Sequence, residues 1–217
     1  MNILTKHITI KNEELTLTNQ RAIYWKREDA LILSDIHIGK TAHFRRHGIP
    51  VPDAILLKDL ARLKSLIGYF KVNRLLIVGD LFHAESNVDV QTFKKWLAQF
   101  EGIKLILIKG NHDRLSKSLM DDFNIQIETE LIIEPFTFIH EYSEERHDAF
   151  IISGHTHPGV LLKGKGKQRL KLPCYQVTND GLILPAFSLF TGLNTRTKKS
   201  GIISYAFLES GIYKFTE

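Results

Sequence analysis

The sequence predicts an α/β fold in its first three quarters and a β-rich last quarter. Short apolar runs, which are typical of buried strands, recur along the chain. The clearest of them are Ala30–Leu33, 75–78, 105–108, 136–139 and 150–152. From about residue 161 the chain is strand-like, carries Gly and Pro and holds no convincing helix. We expect one domain over residues 1–217, with a motif core at about 30–160 and a β-rich basic part at 161–217.

Two segments between the apolar runs carry helical periodicity. Apolar residues spaced by three or four positions form one face of a helix over 53–70, namely Leu56, Leu60, Leu63, Ile67 and Phe70. Pro50 and Pro52 precede this segment, as prolines commonly do at a helix start. The second predicted helix covers about 88–100.

The composition excludes several protein classes. Of 217 residues, 43% are hydrophobic and 24% are charged, which is close to the globular average and argues against a disordered chain. Cys174 is the single cysteine, which rules out an intramolecular disulfide. Because the N-terminus lacks a signal-peptide apolar region and no apolar run approaches membrane-span length, we expect a cytoplasmic protein without membrane association.

Each of the five predicted strands is followed at once by a polar cluster. The side chains in these clusters that commonly bind metals are Asp35, His37, Asp80, Asn111, His140, His155 and His157. Ligand sites in α/β proteins lie beyond the carboxyl ends of strands. Imidazole, carboxylate and amide groups suit Mn, Fe, Zn or related divalent ions, and the lack of thiolates argues against a closed structural zinc site. Seven such side chains are too many for one tetrahedral ion and fit two.

The spacing within these clusters suggests how they converge. In an extended segment, residues two apart point the same way, so we expect Asp35 and His37 to bind one ion and His155 and His157 to aim at one site. Each cluster alone is a common turn or loop signal. All five together, in order and each after a strand, predict a dinuclear metal site.

The ordered motifs Asp35-x-His37, Gly79-Asp80, Gly110-Asn111-His112-Asp113, His140 and Gly154-His155-x-His157 resemble those of the calcineurin-like metallophosphoesterase superfamily. The resemblance implies a two-sheet sandwich flanked by helices, the αββα arrangement, with a dinuclear site at one edge. The stretch 35–52, together with 79–83, is similar to the bacterial ICC-like phosphoesterases. That group includes ligase-associated DNA damage response endonucleases, which occur with a helicase, a DNA ligase and a nuclease.

The resemblance also implies a role for each motif residue. Asp35, His37 and His157 would hold the first metal, and Asn111, His140 and His155 the second. Asp80 would bridge the two ions, which we expect to be Mn²⁺, with Fe, Zn, Mg or Ni as alternatives. His112 would be the catalytic histidine that binds no metal, and Asp113 would orient it.

Further residues are candidates for substrate binding: His83, Arg45, Arg46, Lys167, Arg169 and Lys171. His83 could contact the phosphate, or it could be an ordinary histidine of a helix start or a loop. Arg45 and Arg46 could clamp a phosphate, because the guanidinium group fits phosphate, or could pair with acidic residues or with an adjoining subunit. The three cations at 167–171 fall on one face of a strand returning from a hairpin turn at Gly164 and Gly166. That face could follow a nucleic-acid backbone or could simply be solvated.

These observations predict a metal-dependent phosphoesterase that hydrolyses phosphodiester bonds. Residues 160–217 hold nine Lys and Arg against three Asp and Glu, which favours DNA as the substrate. The resemblance further suggests a helicase–ligase repair assembly as partner. The alternatives are a phosphoesterase for small nucleotides or cyclic nucleotides and a non-catalytic interaction module on the same fold.

Overall fold

Two β-sheets stack face to face in the computed structural model, which describes residues 2–52, 54–83, 87–113, 123–142, 149–196 and 201–216. The first sheet has seven strands in sequence order: β1 (Thr5–Ile10), β2 (Glu13–Thr18), β3 (Ile23–Trp25), β4 (Ala30–Leu33), β5 (Arg74–Val78), β6 (Lys104–Ile108) and β7 (Gln126–Glu128). Its first four strands pair antiparallel, and β4 to β7 pair parallel.

The second sheet is built from the C-terminal half of the chain. Its strands are β8 (Leu131–Ile133), β9 (Phe136–Phe138), β10 (Phe150–Ser153), β11 (Gly159–Lys163), β12 (Arg169–Val177), β13 (Gly181–Ile183), β14 (Ile203–Leu208) and β15 (Gly211–Thr216). The spatial order is β15-β14-β12-β13-β10-β9-β8, and β11 pairs with β12. Strands β9, β10 and β13 are parallel, which directs their carboxyl ends to one edge. The strand order is compatible with one domain over residues 1–217, which stays a prediction.

Three α-helices occur in the described residues: α1 (Lys40–Arg46), α2 (Ala54–Phe70) and α3 (Val88–Leu97). The predicted start of α2 at Asp53 lies outside the described residues. Helix α3 ends three residues earlier than predicted, because the amides of Gln99 and Phe100 donate to carbonyls three residues back and tighten the chain into a turn. Asn87 caps α3 by accepting from the amides of Asp89 and Val90.

The hydrophobic core has two layers. Between the sheets, alternate side chains of β2 to β6 pack against Phe136, Phe138, Phe150, Tyr175 and Phe207. On the other face of the first sheet, α2 and α3 bury their apolar sides. The fully buried Trp25 and the nearly buried Trp96 belong to these two layers.

The predicted sandwich of two sheets is confirmed, with one difference in its flanks. Helices α2 and α3 pack on the first sheet, as their shared core shows. On the outer face of the second sheet, the β11–β12 hairpin covers a small cluster of Val160, Leu172, Cys174 and Ala206. Cys174 is therefore a buried, small apolar residue.

Across the ranges that the structure describes, no helix combines the length and the apolar character needed to cross a membrane.

Candidate metal centre

The candidate site lies where the carboxyl ends of strands from both sheets meet. Strands β4, β5 and β6 end there in the first sheet, and β9 and β10 in the second. The Asp35 amide donates to the Gly79 carbonyl at 3.0 Å, and the His37 amide donates to the Asp80 carbonyl at 2.9 Å. The His155 amide donates to Asp35 Oδ2 at 3.2 Å. These bonds hold loops from both sheets in one block.

Six of the seven predicted ligands fall into two clusters of three. Asp35, His37 and His157 form the first cluster, and Asp80, His140 and His155 form the second. Within each cluster the candidate ligand atoms all lie within 4.8 Å of one another. His155 and His157 both lie at this site, and the structure divides them between the two clusters.

Asp80 lies between the two clusters. Its Oδ2 is 3.4 Å from His140 Nε2 in the second cluster and 3.9 Å from His37 Nε2 in the first. Its Oδ1 accepts a hydrogen bond from the His112 amide at 2.9 Å. One carboxylate oxygen thus faces ligand atoms of both clusters while the other is fixed by the backbone, which is the arrangement that a bridging ligand needs.

Asn111 joins the second cluster through His140. Its Oδ1 lies 3.0 Å from His140 Nε2, and His140 Nδ1 lies 3.0 Å from the Val78 carbonyl. A ring that donates through Nδ1 to a carbonyl presents its Nε2 lone pair to a metal. The Asn111 oxygen is therefore next to the atom that would bind the second ion.

The reason given above for the convergence of Asp35 and His37 is wrong in detail. Both residues have left-handed backbone, with φ of 54° and 52°, rather than the extended conformation expected after a strand. Asp80, His155 and His157 share this conformation, with φ of 52°, 63° and 51°. A non-glycine residue at positive φ is uncommon and concentrates at functional sites, where surrounding contacts hold it. Five predicted ligands thus share a strained backbone.

Several buried polar atoms at this site make no hydrogen bond within the described residues: Asp35 Oδ1, His37 Nδ1 and His37 Nε2. Buried polar atoms are normally satisfied, so an unsatisfied carboxylate oxygen and imidazole nitrogen in one cluster fit a cation. Burial, with the charge of Lys40, lowers the pKa of His37 to about 3. His37 is therefore neutral and has a free lone pair at physiological pH, as a ligand requires.

The pair of Asp80 and His140 behaves differently. Burial opposes charge on both residues, but their mutual hydrogen bond and attraction outweigh it. The pKa of Asp80 falls to about 2 and that of His140 rises to about 9. A metal ion would replace the proton on His140, so metal binding at this cluster should release a proton near neutral pH.

His112 lies at the exposed rim of the site. Its ring centroid is 5.5 Å from that of His37 and 5.3 Å from that of His83. Both carboxylate oxygens of Asp113 accept backbone amides, Oδ1 from Phe82 at 2.8 Å and Oδ2 from Gly110 at 2.9 Å. Burial raises the pKa of Asp113 to about 6. The described contacts of Asp113 hold the loop that carries His112, and a direct contact with the His112 ring stays a prediction.

The calcineurin-like phosphoesterase family model matches residues 30–144, more than half of the chain. This match covers four of the five motifs, and the fifth, Gly154-His155-x-His157, lies beyond it. The chain belongs to the calcineurin-like phosphoesterase family. It is therefore a metal-dependent phosphoesterase hydrolase, and the predicted family and enzyme class are confirmed.

The solved structure of a nuclease is similar to this phosphoesterase over almost its whole length. The crystal structure of Pseudomonas putida nuclease MPE is 29% identical, covers 98% of this chain and 100% of its own, and has a TM-score of 0.83. Escherichia coli Yfce, a phosphoesterase, is 14% identical over 81% of this chain and 87% of its own at a TM-score of 0.42. A novel archaeal phosphodiesterase is 15% identical, covers 86% of this chain and 98% of its own, and has a TM-score of 0.40. No curated protein matches the sequence.

Three glycines of the phosphoesterase motifs leave room for the ligands themselves. A Cβ on Gly79 would lie 1.9 Å from His140 Nδ1, and a Cβ on Gly110 would lie 2.3 Å from Asp80 Oδ1. A Cβ on Gly154 would lie 2.8 Å from Asp35 Oδ2. Each glycine therefore excludes a side chain that would displace a predicted ligand.

We expect Gly79→Ala to lose metal binding at the second cluster. The new methyl group would push His140 aside, and the left-handed φ of 82° adds strain. The matched control is Gly102→Ala, which has a φ of 85° but no atom within 4 Å of its Cβ. Both variants should lose about 1–2 kcal/mol from the left-handed backbone, while only Gly79→Ala should lose Mn²⁺ in a titration. Equal Mn²⁺ binding by the two variants would contradict the steric argument.

The predicted rim residues have different surroundings. His83 lies at the site, with its ring centroid 5.8 Å from that of His37. Burial, with the charge of Lys40, lowers its pKa to about 4. Arg45 donates through Nη2 to Asp89 Oδ1 at 3.2 Å, so the structure realises the pairing alternative for this residue. Arg46 is exposed, and its phosphate-binding role stays a prediction.

The predicted basic hairpin is confirmed as a structure. Strands β11 and β12 pair antiparallel, with Lys163 opposite Arg169 and Leu161 opposite Lys171. Arg169 and Lys171 therefore share an exposed face with Lys163. The prediction that Lys167 lies on the same strand face is wrong, because β12 begins at Arg169 and Lys167 lies in the connecting 3₁₀ turn (Lys165–Lys167). The hairpin starts two residues after His157.

Two further features lie at the site, and the second of them escaped the sequence reasoning. Lys40, which follows the first motif, is half-buried, and its Nζ lies 5.9 Å from the centre of the Phe190 ring. Burial lowers its pKa, against the opposing charges of Asp35 and Asp80. The second feature is the segment 186–190, which lies beside Asp35. The charged residues that bind this segment belong to no recognisable sequence motif.

Proposed function

We propose that this phosphoesterase hydrolyses phosphodiester bonds of DNA with two bound divalent ions and that Mn²⁺ is the preferred metal. The observation that carries the dinuclear proposal is the position of Asp80 Oδ2 between His37 and His140. Asp35, His37 and His157 would hold one ion, and Asn111, His140 and His155 the other. Two bound ions would supply charge stabilisation of the phosphoryl group and activation of water.

The protein's own residues contribute orientation and proton transfer. The side chains of Asp35, Asp80 and His140 are fixed by hydrogen bonds to the backbone, so they do not have to reorganise during the reaction. His112 is exposed at the rim and would protonate the leaving oxygen or stabilise its charge. His83 would contact the phosphate beside it.

A nucleic-acid substrate is supported by two features. The neighbour of similar length and fold is a nuclease. The basic hairpin continues directly from His157, whose carbonyl accepts the Asn194 amide at 2.9 Å. Cations on a hairpin fixed to the site edge would bind phosphates that flank the scissile bond.

We expect the triple variant Lys167→Gln/Arg169→Gln/Lys171→Gln to bind oligonucleotides more weakly with unchanged kcat. Each lost phosphate contact should reduce the slope of log binding constant against log salt by about 0.7 for single strands. KM for an oligonucleotide should rise, whereas KM for bis-p-nitrophenyl phosphate should stay constant because that substrate does not reach the hairpin.

The matched control for the hairpin neutralises Lys11, Lys71 and Lys104, which are exposed at the opposite edge of the first sheet. This control removes the same net charge without touching the hairpin. An equal loss of oligonucleotide affinity in both triple variants would show that net charge alone matters and would contradict the hairpin proposal.

The experiment that tests the function as a whole is a substrate panel with added Mn²⁺ and with chelator. DNA, RNA, cyclic nucleotides and phosphomonoesters should be compared, with Asp80→Asn as the inactive control. Metal-dependent cleavage of DNA is the expected result. Turnover confined to small nucleotides would support the small-molecule alternative. A lack of turnover on every substrate would support the alternative that the protein is a non-catalytic interaction module.

A repair setting with a helicase and a DNA ligase is the final part of the proposal. It rests on the likeness of residues 35–52 and 79–83 to ligase-associated endonucleases. Co-purification of the protein with a helicase or a ligase from its own cells would support the assembly, and its reproducible absence in crosslinked samples would contradict it.

A further inference from the structure

Residues 186–190, which we call the strap, run along the first metal cluster. The Phe187 amide donates to the Ser34 carbonyl at 2.8 Å, and the Ser188 amide donates to the Asp35 carbonyl at 3.1 Å. Ser34 also forms a parallel bridge with Ala186. The strap thus grips the backbone on both sides of the strained Asp35, whose φ is 54°.

A buried ion pair lies behind the strap. Arg62 Nη1 donates to Asp59 Oδ1 at 2.7 Å, and Arg62 Nη2 donates to the Phe187 carbonyl at 2.9 Å. Both Asp59 oxygens accept the Leu189 amide at 3.2 Å. The exposed fractions of Asp59 and Arg62 are 2% and 5%, so solvent hardly screens this pair. The pair therefore binds the strap through one carbonyl and one amide.

Arg21 holds the strap from the same side. Its Nη1 donates to the Ala186 carbonyl at 3.0 Å and to the Ser188 carbonyl at 2.8 Å. Together with Arg62 it places a guanidinium group on three successive carbonyls of the strap. Three charged residues from the β2–β3 turn and from α2 thus converge on a short segment whose other side contacts Asp35.

Stability alone is a poor reason for these buried charges. Desolvation can exceed the attraction within a buried ion pair, and apolar replacement of both partners is often neutral or stabilising. Burial raises the pKa of Asp59 and lowers that of Arg62 to about 10, which shows that their surroundings disfavour charge. The benefit of burying Asp59 and Arg62 is a fixed geometry of the strap, because a guanidinium fork holds the carbonyls that it binds in place.

We propose that Arg21, Asp59 and Arg62 are positioning residues that hold Asp35, through the strap, in the conformation required by the first metal ion. This inference rests on the proposed dinuclear site and adds a supporting network to it. Loss of groups that orient metal ligands typically costs about 10–100-fold in metal affinity or activity. The effect should fall on the first cluster, because the strap contacts Ser34 and Asp35.

The test is the double variant Asp59→Leu/Arg62→Met, which removes both charges at similar volume. We expect it to stay folded, with a Tm lowered by the loss of partners for the Phe187 carbonyl and the Leu189 amide, and to bind one of its two Mn²⁺ ions about 10–100-fold more weakly. The Phe187 and Ser188 amides should exchange with solvent about fivefold faster in the metal-free protein. kcat should fall while KM for bis-p-nitrophenyl phosphate stays near the wild-type value. Arg62→Lys keeps the charge but loses the guanidinium fork, and its Mn²⁺ affinity and amide exchange should lie between those of the wild type and of the double variant.

The matched control is Arg74→Met, which breaks the half-exposed ion pair with Glu28 at the opposite edge of the first sheet. It should leave Mn²⁺ binding and strap exchange unchanged. A folded double variant with wild-type Mn²⁺ affinities and wild-type exchange at Phe187 and Ser188 would overturn the inference. A wild-type protein that binds no Mn²⁺ would refute the proposed function instead, and the exchange rates would still decide whether the network holds the strap.

Discussion

The His112→Ala variant should keep both metal ions and lose turnover by about 10²–10⁴-fold. The substitution removes only the ring at the rim, because the backbone amide that donates to Asp80 remains. Ligand positions should therefore be preserved while the group that assists the leaving oxygen is lost. Metal content and kcat, measured on the same preparation, separate the two effects.

The choice of substrate sharpens the test of His112. A p-nitrophenolate leaves without protonation, whereas the alkoxide of a DNA strand needs a proton. If His112 is the general acid, the rate loss should be larger for DNA than for bis-p-nitrophenyl phosphate. His7→Ala, at an exposed histidine of β1, is the matched control and should retain full activity. Full activity of metal-loaded His112→Ala on DNA would sink the assignment.

The Asp80→Asn variant should lose metal and activity together, by more than the 10–100-fold typical of an outer-shell residue. The amide oxygen can still accept the His112 amide, so the loop should stay folded. What disappears is the negative charge between His37 and His140, on which two adjacent cations depend. Mn²⁺ titration should show at most one weakly bound ion.

The control for Asp80→Asn is Asp29→Asn, the same change at another left-handed position, with a φ of 47°. Asp29 lies in the turn before β4, away from the site, and its variant should bind two Mn²⁺ ions normally. Two ions bound with wild-type affinity by Asp80→Asn would refute the bridging role of Asp80.

The sequence was most informative where chemistry recurs at strand ends. The order of the motifs from Asp35 to His157 predicted the edge at which they meet, because parallel strands deliver their carboxyl ends to one side. It also predicted the helix faces and the basic hairpin. These features depend on local periodicity and on residue type, which a linear chain displays directly.

The sequence by itself determined which residues could form this site, whereas the tertiary structure decided how they are held. The left-handed backbone at Asp35 and Asp80, the division of His155 and His157 between clusters, and the pairing of Arg45 with Asp89 all depend on contacts between distant segments. In the sequence, Asp59 and Arg62 are two opposite charges three residues apart, and no motif marks them. Only the folding of the strap over α2 buries them, because burial is a property of the packed chain and not of residue spacing.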